Sequence, residues 1–217
     1  MRGWPLPLLL TACASLPQAT LDVEAPAAKA PSDRVEEYVL SPEQLVVEAD
    51  VSAAASYTVS FPRSTGRILL DRTNALGTVF TIDVDVASAT ASWQLVADVA
   101  RDEFLHSAQH PRGAFQSVSL VDAPCDEAPC PSGRYVVFGD LTLHGTKHRI
   151  SFPLDLTMSE CVAETKVEFE IDRQAFGIRN EGPYEPLVSD TVVVRIGAKV
   201  PLRGRPASCD AARPPTG

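Results

Sequence analysis

Arg134-Tyr-Val-Val-Phe-Gly-Asp-Leu-Thr-Leu-His-Gly-Thr-Lys-His-Arg-Ile-Ser-Phe-Pro-Leu-Asp-Leu-Thr157 carries one alternation through two arms and a turn. In the first arm Tyr135, Val137, Leu141 and Leu143 share a face, and Asp140, Thr142 and His144 share the other. In the second, Ile150, Phe152, Leu154 and Leu156 alternate with Arg149, Ser151, Asp155 and Thr157, with His144-Gly145-Thr146 as the turn between them. Period-two patterning in adjacent arms predicts an antiparallel hairpin with one dry and one wet face. The rest of the chain must close over the dry face.

Working outward, the same signal recurs on both sides. Leu45, Val47, Ala49 and Val51 alternate with polar or outward positions, as do Tyr57, Val59 and Phe61, and then Ile68 and Leu70. Phe80, Ile82, Val84 and Val86 stand against Thr81, Asp83 and Asp85; Val118 and Leu120 precede the hairpin. Val167, Phe169 and Ile171, then Val192, Val194, Ile196 and Ala198, follow it. One interruption has helical spacing, Ala97 to Ser107, where Ala97, Ala100, Arg101, Phe104 and Leu105 line up ahead of Pro111. About eight one-faced strands with a single short helix predict an all-β barrel rather than a sandwich, since closure removes sheet edges. A barrel of this size is filled by its own side chains or holds one small ligand, and core and pocket lining are both apolar.

The 217 residues are 45% hydrophobic and 6% aromatic with a formal net charge of −9, which argues against a nucleic-acid partner. Met1-Arg2 followed by the apolar run Trp4 to Ala12 has the order of an export signal and is too short for a membrane-spanning helix. Leu10-Thr11-Ala12-Cys13 resembles a bacterial lipobox, which makes Cys13 the expected site of acylation; a plain cleaved signal ending near Ala14 is the alternative. The segment is short for a signal, so the true start codon is expected upstream. The expected divisions are a signal over 1–12, an Ala/Pro-rich flexible tether over 13–34, the barrel over 35–202 and an irregular tail over 203–217.

Setting Cys13 aside leaves Cys125, Cys130, Cys161 and Cys209, an even set suited to an oxidising compartment. Of three pairings, proximity favours Cys125 with Cys130 and Cys161 with Cys209, worth roughly 2 and roughly 4 kcal/mol in a chain-entropy account. A zinc site is the rival, disfavoured because the spacing is not paired C-x-x-C and no histidine adjoins it. His106 with His110, and His144 with His148, each offer two ligands without a legible third, so they read as surface histidines and no metal or cofactor is expected. Neither a nucleophile elbow nor a glycine-rich phosphate loop is present, which leaves an enzyme unsupported.

Five segments in order resemble the YceI-like family of bacterial periplasmic polyisoprenoid-binding proteins. They are Phe61-Pro-Arg-Ser-Thr-Gly-Arg-Ile68 through Asp71, Arg101-Asp-Glu-Phe-Leu-His-Ser107, Gly139-Asp-Leu-Thr-Leu-His-Gly145, Asp172-Arg173 with Phe176-Gly177-Ile178, and Val188-Ser-Asp190. The resemblance covers Tyr38 to Val200. It implies a lipocalin-like barrel with a helix at one side that binds isoprenoid quinones, polyprenyl phosphates or related amphiphiles. It also makes Arg101 and Asp102 structural pairing residues, with Phe104 and Leu105 turned inward. The chain departs from the family at Gln44, where a histidine is usual, and at Ala108-Gln109-His110, where aromatics and an aspartate are usual. If those positions border the mouth, head-group recognition differs.

The expected ligand-binding residues are therefore Phe80, Ile82, Leu141, Leu143, Phe152, Leu154, Phe169, Arg173, Phe176 and Val194. Arg173 and Arg179 flank the Phe176-Gly177 turn, where a guanidinium suits a pyrophosphate or quinone carbonyl, or else ties loops together. The expected function is sequestration or transport of a polyisoprenoid or quinone-like lipid by a lipid-anchored envelope protein of the periplasm or outer membrane. The alternatives are a structural or adhesive lipoprotein with a filled barrel, and a lipid-modifying enzyme.

Overall fold

The computed structural model describes residues 16–124, 133–204, 206 and 209. Its strands in chain order are β1 (Thr20–Leu21), β2 (Val35–Leu40), β3 (Leu45–Ser52), β4 (Ser56–Ser60), β5 (Ser64–Asp71) and β6 (Val79–Asp85). There follow β7 (Thr90–Ala91), β8 (Arg112–Asp122), β9 (Arg134–Leu143), β10 (Thr146–Met158), β11 (Val162–Asp172) and β12 (Thr191–Pro201). They form one sheet in the order β2-β5-β6-β8-β9-β10-β11-β12-β3-β4-β7, with each of these pairings antiparallel. The sheet curls on itself, bringing Leu40 and Leu45 over Gly66, where a Cβ would stand 3.2 Å from Leu40 Cδ1. The antiparallel barrel expected from the alternation is thus the fold.

The β9–β10 hairpin has the expected faces. Leu143 pairs with Thr146, so the loop is the two residues His144 and Gly145, with φ of 49° and 74°. That double left-handed turn matches the twist of the flanking strands. Val137 and Ile150 are fully buried, while on the wet face Asp140 takes Arg149 and, at 2.7 Å, Lys147. These cations hold the Asp140 carboxyl below its usual range, Arg149 foremost.

The helix, α1, begins at Gln94 and ends at Phe104, starting and stopping about three residues before the expected span of Ala97 to Ser107. Its second half is wound as a π-helix, with Leu105 N–H reaching Ala100 C=O at 2.9 Å. The wider winding breaks the 3.6 period that the spacing argument assumed, and His106 leaves the helix at φ 43°. Arg101 pairs with Asp98 at 2.6 Å and Asp102 at 2.9 Å, as the resemblance implied.

Part of the expected tether belongs to the barrel wall. β10 and β11 pair only from Asp155 to Met158, and beyond Pro153, which has no N–H to give, the gap is filled by the N-terminal segment. Thr20 and Leu21 pair with Ser151 and Ile150, and Gln18 bridges Glu170 in parallel. Farther along, Asp71, fully shielded from solvent, accepts Ser32 N–H at 2.6 Å and the N–H groups of Thr73 and Asn74 at 3.0 and 2.9 Å. Those donors, Ser32 first, hold the carboxyl far below its usual range. Alanine and proline concealed this docking because backbone groups and one distant carboxylate carry it.

The disulfide expected between Cys161 and Cys209 is present, with Cα atoms 5.5 Å apart. Cys13, Cys125 and Cys130 lie outside the described residues.

Candidate functional site

The dry faces of the strands do not meet at the barrel axis. They enclose two adjoining chambers, of about 390 and about 70 Å³. Ile82, Phe152 and Ile196 belong to the walls of both and mark the waist between them. Aromatic rings cross the interior there: Phe80 to Phe115 at 5.6 Å between centroids, Phe115 to Phe152 at 5.3 Å, and Phe152 stacked on Phe169 at 4.3 Å. The rings come from β6, β8, β10 and β11, so four separate strands set the waist.

The larger chamber lies on the side of α1, whose Val96, Val99, Ala100 and Phe104 form part of its wall. Among its described lining residues only Glu48 and Arg173 carry charge, and Glu48 is turned to Ser60 Oγ at 3.0 Å. Tyr38 lines the smaller chamber, and its hydroxyl accepts Arg203 N–H at 3.1 Å while the Arg203 guanidinium lies over the ring. Burial and the neighbouring Glu36 raise the Tyr38 phenol above its usual pKa, so it stays neutral there.

Eight of the expected ligand-binding residues line this interior with apolar side chains. Leu141, Leu143, Phe169 and Val194 face the larger chamber, Phe80 and Leu154 the smaller, and Ile82 and Phe152 both. Two differ. Phe176 is fully buried but lines neither chamber; it sits edge-on beneath His148, with centroids 5.0 Å apart. It follows β11 in a 3₁₀ turn, so strand alternation does not govern its direction.

Arg173 touches the larger chamber, yet its guanidinium is already engaged. It donates to Ser189, Ile178 and Val188 C=O at 3.0, 2.8 and 3.2 Å, to both Glu185 oxygens at 3.1 Å and to Asp190 at 3.0 Å. With five N–H groups to give, it has none left for a head group. Of the two roles weighed for it, the structure gives it the tying of loops, which fixes the segment 178–190 at the edge of the chamber.

Neither departure from the family pattern reaches the cavity. Gln44 caps the β2–β3 turn, its Oε1 accepting Ser41 N–H at 3.2 Å. The His110 ring lies against His144, with centroids 4.0 Å apart and planes tilted by 48°, and His106 Nδ1 lies 2.9 Å from His144 Nε2. The pair His106 and His110 thus meets His144, read as the partner of His148, at the hairpin tip, a meeting of segments that spacing along the chain does not disclose. Among the described residues no group of acidic, cysteine or histidine side chains is arranged to hold a metal.

Among the lining residues that the strand pattern did not single out are Trp93, Leu95, Tyr184 and Leu187. They lie on the helix start and the 178–190 loop, where no period applies; their apolarity amid polar neighbours was the available signal.

Among solved structures the chain is similar to BcnA of Burkholderia cenocepacia, at 19% identity and TM-score 0.64, covering 74% of this chain and 99% of that one. A polyisoprenoid binding domain from Saccharophagus degradans matches at 16% and 0.56, covering 76% and 98%. A mutant of the Campylobacter jejuni YCEI protein matches at 14% and 0.52, covering 94% and 99%. At these identities the likeness is one of fold. Comparison with curated proteins finds no match. The sequence model of the YceI-like domain matches residues 38–200, three quarters of the chain and every residue that lines the two chambers, and the chain belongs to that family.

Proposed function

We propose that the protein binds a polyisoprenoid, an isoprenoid quinone or a similar long-chain amphiphile inside its barrel and carries or sequesters it without covalent chemistry. The observation that carries this reading is the pair of adjoining apolar chambers, which share Ile82, Phe152 and Ile196 in their walls. Such a shape suits one elongated chain. Each buried methylene adds about 0.8 kcal/mol, so a long tail supplies affinity without polar contacts. The likeness to a domain described as polyisoprenoid-binding supports the same class of ligand. An acylated Cys13 in the bacterial envelope is the proposed setting, resting on the lipobox-like Leu10 to Cys13.

The test is mass spectrometry of an organic extract of protein purified without detergent from a bacterial envelope. A stoichiometric isoprenoid is expected, and Leu143→Asp, which places a charge on the chamber wall, should remove it from folded protein. An empty extract with no uptake of added quinone or polyprenyl phosphate overturns the reading in favour of a filled structural barrel.

A further inference from the structure

The larger chamber reaches the surface among three short runs: Ser52-Ala-Ala-Ala-Ser56, Ala91-Ser-Trp-Gln-Leu-Val96 and Pro186-Leu-Val188. None contains an ionisable side chain, in a chain whose net charge is −9. The carboxylates that adjoin these runs are each held by an arginine. Asp50 is paired with Arg195, Asp98 with Arg101, and Glu185 and Asp190 with Arg173. Trp93, Leu95 and Leu187 are 64%, 64% and 57% exposed, although each also lines the chamber. Large apolar side chains are therefore presented to solvent together, around the opening of an apolar cavity.

We infer that this rim seats on the surface of a zwitterionic lipid bilayer, where cargo enters and leaves. The inference rests on the proposed lipid ligand, whose tail resides in a bilayer and crosses water at a high cost. An indole and two leucines suit the depth of the head groups, where an amphipathic ring is apolar on one side and wet on the other. The absence of lysine and arginine from the runs, together with the acidic chain, selects a neutral surface over an anionic one, which basic segments recognise. Tyr57, whose ring centroid is 6.1 Å from that of Trp93, buttresses the indole from the chamber side.

The experiment uses the full chain with Trp4→Phe and Cys13→Ser, which leaves Trp93 as the one tryptophan and removes acylation. Phosphatidylcholine vesicles with brominated acyl chains should quench Trp93 and shift its emission to the blue. Replacing exposed rim residues, Ala55→Glu with Ser92→Glu, should weaken that partition by about tenfold, and admixed phosphatidylglycerol should weaken it further. Emission unmoved by vesicles, or quenching undiminished by the two glutamates, overturns the inference. Uptake of a fluorescent polyprenyl analogue added from ethanol is measured in parallel. Normal uptake with no quenching rejects the docking surface and keeps the cargo; quenching without uptake supports the surface and rejects the cargo.

Discussion

Gly139 on β9 lies directly beneath the ring of Phe115 on β8: a Cβ at position 139 would stand 2.2 Å from Phe115 Cζ and 2.7 Å from Gln116 C=O. This aromatic of the waist is seated by the absence of a side chain on the next strand. Gly139→Ala should therefore displace Phe115 and cost about 1–3 kcal/mol, as overpacking does. Chemical denaturation measures it, and pairing the change with Phe115→Leu should recover part of the loss.

Phe152 separates the chambers and contacts Phe115 and Phe169. Phe152→Ala should cost about 3–5 kcal/mol and join the two spaces into one longer cavity. Extracts of the variant should then hold longer chains than those of the parent; an unchanged length distribution would remove Phe152 as the barrier.

Arg173, 3% exposed, holds the loop from which Leu187 projects. Arg173→Met leaves Glu185 and several carbonyls without their donor, at a cost of about 3–5 kcal/mol. Limited proteolysis should move to residues 178–190 before the barrel is cut. Arg173→Lys should rescue little, because an ammonium cannot span the same acceptors.

His144 and His148 should oppose each other in the pH dependence of stability. Burial, then the like charges of His110 and His106, push the His144 imidazole below its usual range. Its contribution is therefore complete above about pH 6.5 and is lost as pH falls through the lower folded value. Asp22 lifts His148 above its usual range, so that contribution is complete below about pH 6.5 and lost as pH rises. Urea midpoints measured from about pH 5 to 8 check both signs. His144→Asn should flatten the acid side, and its left-handed backbone suits Asn-Gly. His148→Gln should flatten the alkaline side.

Reducing the Cys161–Cys209 bond, which spans 48 positions, should lower stability by about 4 kcal/mol in a chain-entropy account. A Cys161→Ser/Cys209→Ser chain should match the reduced protein in denaturant.

The strands and the apolar wall were legible because a half-buried strand must alternate, as Ile150, Phe152 and Leu154 do. Most of what escaped has no period. The rim residues Trp93 and Leu187 stand outside the strands, the π-wound half of α1 departs from 3.6 residues per turn, and Phe176 takes its direction from a 3₁₀ turn. The histidine cluster and the ties of Arg173 depend on segments meeting in space. Residues 16–34 were hardest, since pairing through main-chain groups leaves almost no mark on side-chain choice.

The seam between β10 and β11 also sets an order of events. Pro17 to Leu21 emerge first during synthesis, yet their partners, Ile150, Ser151 and Glu170, come more than a hundred positions later. The earliest part of the described chain must wait, unpaired, for most of the rest. Closing so wide a loop is slow, so the wall is completed late, and until then β10 and β11 expose free edges to any other strand.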